Sequence, residues 1–421
     1  MTRPTTWDVA VVGAGAAGLA TAIFAARAAP LLRVVCLDGA AHIGAKILIS
    51  GGSRCNVTNR TVSERDFWGG SPRFVRHILR AFPEPRAAAF FEELGVALHE
   101  EEDGKLFPDT NRARTVLDAL LAEARRLGIS VQPRARVVSL RRQESFVAEL
   151  ADGAVVRAAA VVLATGGRSL PKTGSDGVGY GLAQSLGHTI VPTVPGLAPL
   201  VLDGDRHAPL AGRSHAAALT LRARSGVVTT LTGSLLWTHF GISGPVALNL
   251  SRHWHRATGA AGEVAVSLSV CPGETVQSVD GWLQEHARDR PRAKVTTVLA
   301  TRLPAAVADV WVTAARIAAD TTLAHLTRTE RRALIDGLLA TPLQIRDSRG
   351  YNYAEVTAGG VPLEEVDHRT MRSRTCEDLY LVGEILDVDG RLGGFNFQWA
   401  WSTGWVAGQA IGSRSKPAGE R

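Results

Sequence analysis

The stretch LISGGSRCNVTN, Leu48–Asn59, gathers glycines, hydroxyls, carboxamides, a guanidinium and a thiol directly behind an apolar run. Side chains of these types can hold an anion, hydrogen-bond a polar ring or serve as a redox thiol. Gly51 and Gly52 let the backbone lie against a ligand. Arg54 offers a planar fork of donors suited to a phosphate or a ring oxygen. Asn56 and Thr58 can fix the loop or touch the ligand, and Lys46 lies just upstream. The competing reading is a loop held only by its own polar bonds. Cys55 has neither a resolving cysteine nor a histidine beside it, so an inert thiol is expected over a redox one.

A second set opens the chain, in Gly13-Ala-Gly15-Ala16-Ala17-Gly18. Gly13 permits the tight turn, Gly15 a close approach to a pyrophosphate, and Gly18 close helix–strand packing. The motif follows an apolar strand pattern, opens a helix, and is followed by Asp38, placed to accept from a ribose hydroxyl. Two further glycine bends end strand patterns, at Thr165-Gly166-Gly167 and Gly383-Glu384. In open α/β sheets ligands sit outside the carboxyl ends of strands, so a long cofactor such as FAD would use all three. Glu384 would accept from ribityl hydroxyls. Beyond it, Gly393 and Gly394 allow approach to a flavin, and a helix from near Asn396 would aim N–H groups at the flavin pyrimidine. Asn396 and Gln398 would present donors there, and Asp387 and Asp389 ribityl or loop contacts, whereas Trp399, Trp401 and Trp405 read as packing.

His239 is a candidate proton donor, although a lone histidine is more often structural. Ser243-Gly244-Pro245 reads as a capped helix start with Pro245 in the first position. The string is not G-x-S-x-G, which excludes a hydrolase elbow. Cys36, Cys55, Cys271 and Cys376 form no C-x-x-C pair, which argues against zinc and a dithiol centre.

These groups need elements to carry them. Asp8–Asp38 reads as one βαβ unit, with Leu19, Ala22, Ile23 and Ala26 at helical spacing. Ala113–Gly128 reads as an amphipathic helix with Gly128 as its stop. Three strand patterns with an Asp-Gly turn lead to Gly166. PTVPGLAPLVL, from Pro192, reads as a crossing linker, and Thr327 and Glu330 form a capping box. The tail beyond Ile411 reads as polar and frayed. The expected fold is α/β: a Rossmann-like two-segment FAD-binding domain with an inserted β-rich domain and a small helical domain. The segments expected are 1–191 and 358–421 for the FAD domain, 192–273 and 342–357 for the β-rich insert, and 274–341 for the helical insert.

Apolar content of 45% with 21% charged residues is that of a globular chain long enough for two or three domains. No apolar run reaches the ~18 residues that span a bilayer. The opening MTRPTTWDVAVVGAG enters a strand pattern with no signal layout, so a cytoplasmic location is expected. Net charge is +7, but the basic residues are scattered, with no run of five. A merely basic composition is therefore favoured over a nucleic-acid partner.

Together VVGAGAAGLATA, GAKILISGGSRCNVTN, LFPDTNRARTVLDAL, ATGGRSLPKTGSDGVGYGLAQSLGH, THFGISGPVALNLS and GEILDVDGRLGGFNFQWAWSTGWVAG, in this order, resemble the bacterial YhiN/BaiN-type flavoproteins, NAD(P)/FAD-dependent oxidoreductases. The resemblance covers nearly the whole chain. It implies bound FAD, a redox role and the three-part architecture; Gly39, Ser50, Cys55, Val137 and Phe397 join the expected cofactor-binding residues. Ser53 stands where members often have glycine, which would narrow the space beside the cofactor. The function expected is transfer of hydride or electrons between FAD, recharged transiently by NAD(P)H, and a small organic substrate. Two other classes remain: a flavin-dependent RNA-modifying protein, against which stands the lack of an RNA-module signature, and a flavin-binding sensor without turnover.

Overall fold

A computed structural model describes residues 6–205, 207–224, 226–261 and 264–414. By their internal contacts these divide into two units: Met1–Val194 with Glu355–Arg421, and Pro195–Ala354.

The first segment begins β1 (Thr6–Val12), α1 (Ala16–Ala28), β2 (Val34–Leu37), α2 (Ala45–Ser53), β3 (Thr58–Asn59) and β4 (Phe67–Gly69). It continues with α3 (Pro72–Ala81), α4 (Glu84–Glu93), β5 (Leu98–Glu101), β6 (Lys105–Pro108), α5 (Ala113–Arg126) and β7 (Ser130–Gln132). β8 (Val137–Arg142), β9 (Phe146–Leu150), β10 (Val155–Leu163), α6 (Val178–Ser185) and β11 (Val191–Gly196) complete it. The βαβ unit is present: β1 and β2 run parallel, Val9 opposite Val34. α5 ends as its sequence requires, the Gly128 N–H reaching Arg125 O at φ +72°. The Asp152-Gly153 turn joins β9 to β10, with Asp152 Oδ1 accepting from the Ala154 N–H.

Two expectations are corrected here. Leu48–Asn59 is not all loop: helix α2 runs into it and breaks at Ser50, Gly51 and Gly52, which have non-helical backbone angles. The proline-rich linker is in part strand β11, paired in a two-stranded ribbon where a missing N–H is tolerated.

The second unit comprises β12 (Leu200–Leu202), β13 (Ser214–Ala223), β14 (Gly226–Thr238), β15 (Gly241–Ser243), α7 (Gly244–Ala261) and β16 (Val264–Ser269). After these come α8 (Val276–Asp289), α9 (Val295–Leu299), α10 (Ala305–Ala314), α11 (Arg328–Ala340), β17 (Thr341–Leu343) and β18 (Ile345–Ser348). Its strands form an antiparallel sheet in the order β17-β16-β13-β14-β15-β12-β18. Sheet and helices share one apolar core, including Leu219, Trp237, Leu250, Leu283, Trp311 and Leu334. Thr327 and Glu330 cap α11 reciprocally. Pro245 lies in the first turn of α7, which begins at Gly244.

The first unit resumes with β19 (Val356–Gly360), the partner of β11, then β20 (Leu379–Leu381), β21 (Val388–Gly390) and α12 (Phe395–Arg414). Its main sheet has the order β7-β2-β1-β10-β9-β8, with β20 also paired to β10. β7, β2, β1, β10 and β20 are parallel, so their carboxyl ends share one edge. α1 is buried almost all round, since α12 covers the side that the sheet does not. Gly404, Gly408 and Gly412, one per turn of α12, meet Ala20, Phe24 and Ala28; a Cβ at Gly408 would lie 2.6 Å from that of Phe24. α12 carries past Ile411 to Arg414, which pairs with Asp378. The rest of the tail expected to fray, 415–421, lies outside the described residues. Among those described, no helix is long and apolar enough to cross a membrane.

Candidate functional site

The carboxyl edge of the parallel strands brings the first, second and last glycine motifs together. β1 ends in the Gly13 turn, and the amino end of α1 has neither a side-chain cap nor an acidic residue in its first turn. β2 ends at Asp38, whose Oδ2 accepts from the Ala14 N–H at 2.7 Å and Oδ1 from the Ala40 N–H at 2.8 Å. Each oxygen keeps one further acceptor direction. Gly39 packs on Arg136, and the Ala135 N–H reaches Asp38 O, so the start of β8 with buried Val137 flanks this corner. Beyond β20 the chain bends at Gly383, where a side chain would begin 2.7 Å from the Cβ of Ala17. The Gly383 backbone is clamped by α12: Thr403 Oγ1 accepts from its N–H and Trp399 Nε1 donates to its oxygen.

Beside that bend sits a charged knot. Lys46 Nζ on α2 donates to Glu384 Oε2 and to Ser169 Oγ, both at 2.6 Å. Glu384 Oε1 accepts from Ser169 Oγ at 2.9 Å and from the Thr357 N–H at 2.9 Å. Thr357 Oγ1 in turn accepts from the Arg168 and Ser169 N–H groups. Gly167 is pressed against this knot: a Cβ there would lie 2.3 Å from Thr357 Oγ1. The bends at Gly166-Gly167 and Gly383-Glu384 are thereby tied to α2. Ser169 and Thr357 carry no sequence signal of their own, being single hydroxyls in unrelated segments.

The loop after α2 lies against the α12 start. Gly394, at φ +91°, has no room for a side chain: its Cβ would fall 2.5 Å from Thr58 O and 2.8 Å from Asn56 Oδ1. Four carboxamides cluster here. Asn59 donates to the Asp103 and Gly393 oxygens and accepts from the Thr61 N–H. Asn396 clips Gly390 by both its N–H and its oxygen. Gln398 is fully buried, accepting from Thr58 and donating to Phe82 O and Ser402 Oγ. Asn396 and Gln398 therefore tie the protein together, where free donors for a ligand were expected. Asn56, only 8% exposed, is the fourth, and its Oδ1 is enclosed with no partner among the described residues. Ser175 Oγ is likewise buried and unpartnered, 2.8 Å from where a side chain at Gly166 would begin.

Other expected site residues have structural occupations. The Arg54 fork grips Glu101 at 2.6 and 3.2 Å, reaches Asn111 and stacks 4.1 Å from the Phe107 ring, rather than standing free for a phosphate. That hydrogen bond holds the Glu101 carboxyl below its usual range. Ser50 Oγ donates to Ile47 O. Cys55 is buried at φ +62°, and burial pushes its thiol up to about 12, which removes a ready thiolate. Ser53 is exposed at φ +67°, a backbone region that favours glycine. Phe397 stacks on Trp401, itself buried with Trp399. Asp389 is also buried. His239 belongs to the second unit, in the exposed turn between β14 and β15, with its ring edge-on to Phe240.

Comparison with known proteins adds the following. The family model described as HI0933-like protein Rossmann domain matches residues 7–410. A 3-dehydro-bile acid delta(4,6)-reductase of Clostridium scindens is 34% identical over 407 residues, spanning 96% of this chain and 99% of that protein. A ribosomal RNA dihydrouridine synthase of Escherichia coli K12 is 34% identical over 413 residues, spanning 96% and 98%. Among solved structures, a 3-ketosteroid delta1-dehydrogenase from Sterolibacterium denitrificans superposes with a TM-score of 0.50 at 13% identity, covering 97% of this chain and all of that one, a likeness of fold.

Proposed function

The chain belongs to the HI0933-like Rossmann-domain family of FAD-binding oxidoreductases, and from that premise we propose that it is a reductase of carbon–carbon double bonds conjugated to a carbonyl, with FAD resident and NAD(P)H as the transient reductant. The observation that carries the cofactor reading is the convergence of glycine bends from both ends of the chain on one sheet edge. The donor set suits such a molecule. The amino end of α1 and the Gly13–Gly18 turn would hold the pyrophosphate. Asp38 has acceptor capacity left for a ribose. Asn56 Oδ1 and Ser175 Oγ are buried polar atoms without partners among the described residues, each beside a glycine where backbone is bare.

Bound FAD would supply the two-electron redox chemistry. The chain's own part is positional. The Lys46–Glu384–Ser169 knot fixes the bends at Gly167 and Gly383 relative to each other. The amino end of α12 offers the positive end of its dipole beside Gly394. One dinucleotide fingerprint is present, so NAD(P)H would visit the flavin face without a second Rossmann domain of its own.

The reaction class is supported by the names of the two relatives. Reduction of a 3-oxo bile acid at positions 4 and 6, and formation of dihydrouridine from uridine, both add hydrogen across a C=C bond conjugated to a carbonyl. The small-molecule substrate is the first reading. Ribosomal RNA is the second, favoured by the Escherichia coli relative and by the charge of the second unit, where 17 Arg and Lys stand against 12 Asp and Glu.

The test begins with the visible spectrum of purified protein. Absorbance at about 450 nm that bleaches anaerobically with NADH or NADPH supports the flavin and its reductant. The reduced protein is then offered a 4,6-dien-3-one steroid acid and, separately, ribosomal RNA from cells lacking the modification, with mass spectrometry of both. A yellow protein that reduces neither would move the reading to a flavin sensor; a colourless protein that takes up no FAD would end it.

A further inference from the structure

We propose that Asn56 reads the flavin end of the cofactor, its Oδ1 accepting a hydrogen bond from the imide N–H of the isoalloxazine pyrimidine at the amino end of α12. The inference rests on the FAD reading above and adds to it the identity of the group that recognises the ring.

Three observations lead there. The first is scarcity. Of the four carboxamides around the Gly393-Gly394 bend, Asn59, Asn396 and Gln398 are occupied by protein groups on both sides, whereas Asn56 keeps an enclosed acceptor that meets no donor among the described residues. A buried acceptor without a partner is costly, and a donor supplied from outside the chain would remove that cost.

The second is place. Asn56 Oδ1 points to the spot where a Gly394 side chain would begin, immediately before the first residue of a 20-residue helix with no acidic residue in its opening turn. That end of α12 carries partial positive charge. An acceptor beside a positive helix end matches a ring edge on which an N–H lies between two carbonyl oxygens, and the helix end suits the pyrimidine, where negative charge gathers on reduction.

The third is elimination along the cofactor. FAD carries few donors: the adenine amine, the sugar and ribityl hydroxyls, and the flavin imide. The ribose corner is at Asp38, among Ala14, Ala40 and Ala135. Asn56 Oδ1 and Thr58 O both face the bare Gly394 backbone, while Gly51 lies against the N–H and Cβ of Asn56. Asp38 and Asn56 thus stand at separate stations, with the Ala17–Gly383 contact as a third.

The experiment compares FAD with N3-methyl-FAD, in which the imide donor is blocked, by titrating apoprotein and following flavin fluorescence. Wild-type protein should bind the methylated analogue at least about tenfold more weakly, a factor suited to one lost hydrogen bond. Asn56→Ala should bind FAD about tenfold more weakly and lose the discrimination. Asn56→Asp, which keeps an acceptor, should retain discrimination, and circular dichroism of each variant checks its fold. Equal wild-type affinity for the two flavins overturns the inference while leaving FAD binding intact. So does an Asn56→Ala protein that still discriminates. Failure of wild-type apoprotein to bind either flavin would overturn the cofactor reading as well.

Discussion

Lys46 and Glu384 stand 338 positions apart in the chain and meet at 2.6 Å. Their contact joins α2, which follows the second strand, to the glycine bend that follows the last strand of the parallel sheet. Ser169 bridges the pair, adding the segment after β10. Lys46→Met leaves Glu384 half-buried without its cation, and Glu384→Gln removes the charge that holds the lysine. Each is expected to lower unfolding free energy by about 1–3 kcal/mol, the range for hydrogen bonds to charged groups, and to raise the dissociation constant for FAD. Denaturant melts and flavin titration measure the two effects. A variant with native stability and native flavin affinity would show the knot to be incidental.

Arg54 is expected to act on the loop. With its fork on Glu101 and its plane on Phe107, Arg54→Ala should cost about 1–2 kcal/mol of stability and leave flavin content near that of the wild type. The readouts are thermal unfolding and the flavin-to-protein absorbance ratio. A stable protein stripped of flavin would return Arg54 to the cofactor.

Cys55 is expected to be chemically silent. With the thiol pushed up to about 12, the thiolate fraction at pH 8 is roughly one in ten thousand. Native protein treated with iodoacetamide should therefore carry no label on the Cys55 peptide, while unfolded protein labels readily. Cys55→Ser should retain turnover. Rapid native labelling, or loss of turnover with flavin still bound, would assign the thiol a chemical role.

Glu123 gives the fold an acid-sensitive clasp. Its carboxylate, 6% exposed, is held by Arg126 at 2.7 Å and Arg27 at 2.6 Å, and the Arg126 hydrogen bond draws it below its ordinary 4.5. A carboxyl depressed in the folded state contributes stability above its unfolded value, and that contribution disappears as pH falls through the folded value. Glu123→Gln should therefore cost about 1–3 kcal/mol at pH 7 and progressively less below pH 4.5. Urea melts of both proteins across that range make the comparison. A penalty that stays constant with pH would mean that charge is not what the arginines recognise.

Several parts of the fold were readable because their signals are local. The Gly13–Gly18 turn, the strands on either side of α1, the Gly128 stop and the Thr327–Glu330 box each declare themselves within a few residues. α2 was hidden because its helix gives way to left-handed backbone at Gly51 and Gly52, where composition reads as loop. β11 was hidden because its prolines read as linker, and only pairing with distant β19 makes it a strand. The carboxamides teach the same lesson about the site. Asn56, Asn396 and Gln398 look equivalent in sequence; which of them is left with an unmet acceptor depends on the Gly390 N–H and the Thr58 hydroxyl, donors that only the folded chain brings near. Ser169 and Thr357 offered nothing to find, since a hydroxyl gains meaning only from the carboxylate or amide opposite it.

The small-residue stripe of α12 against α1 has a bearing on how the protein is born. α1 is made before α12, which follows every other described element, so α1 must wait through the making of the elements between them with one apolar flank uncovered. Until Gly404, Gly408 and Gly412 arrive, Ala20, Phe24 and Ala28 lack the helix that packs on them. A polypeptide interrupted before that helix would expose the flank permanently and become a client for chaperones and proteases.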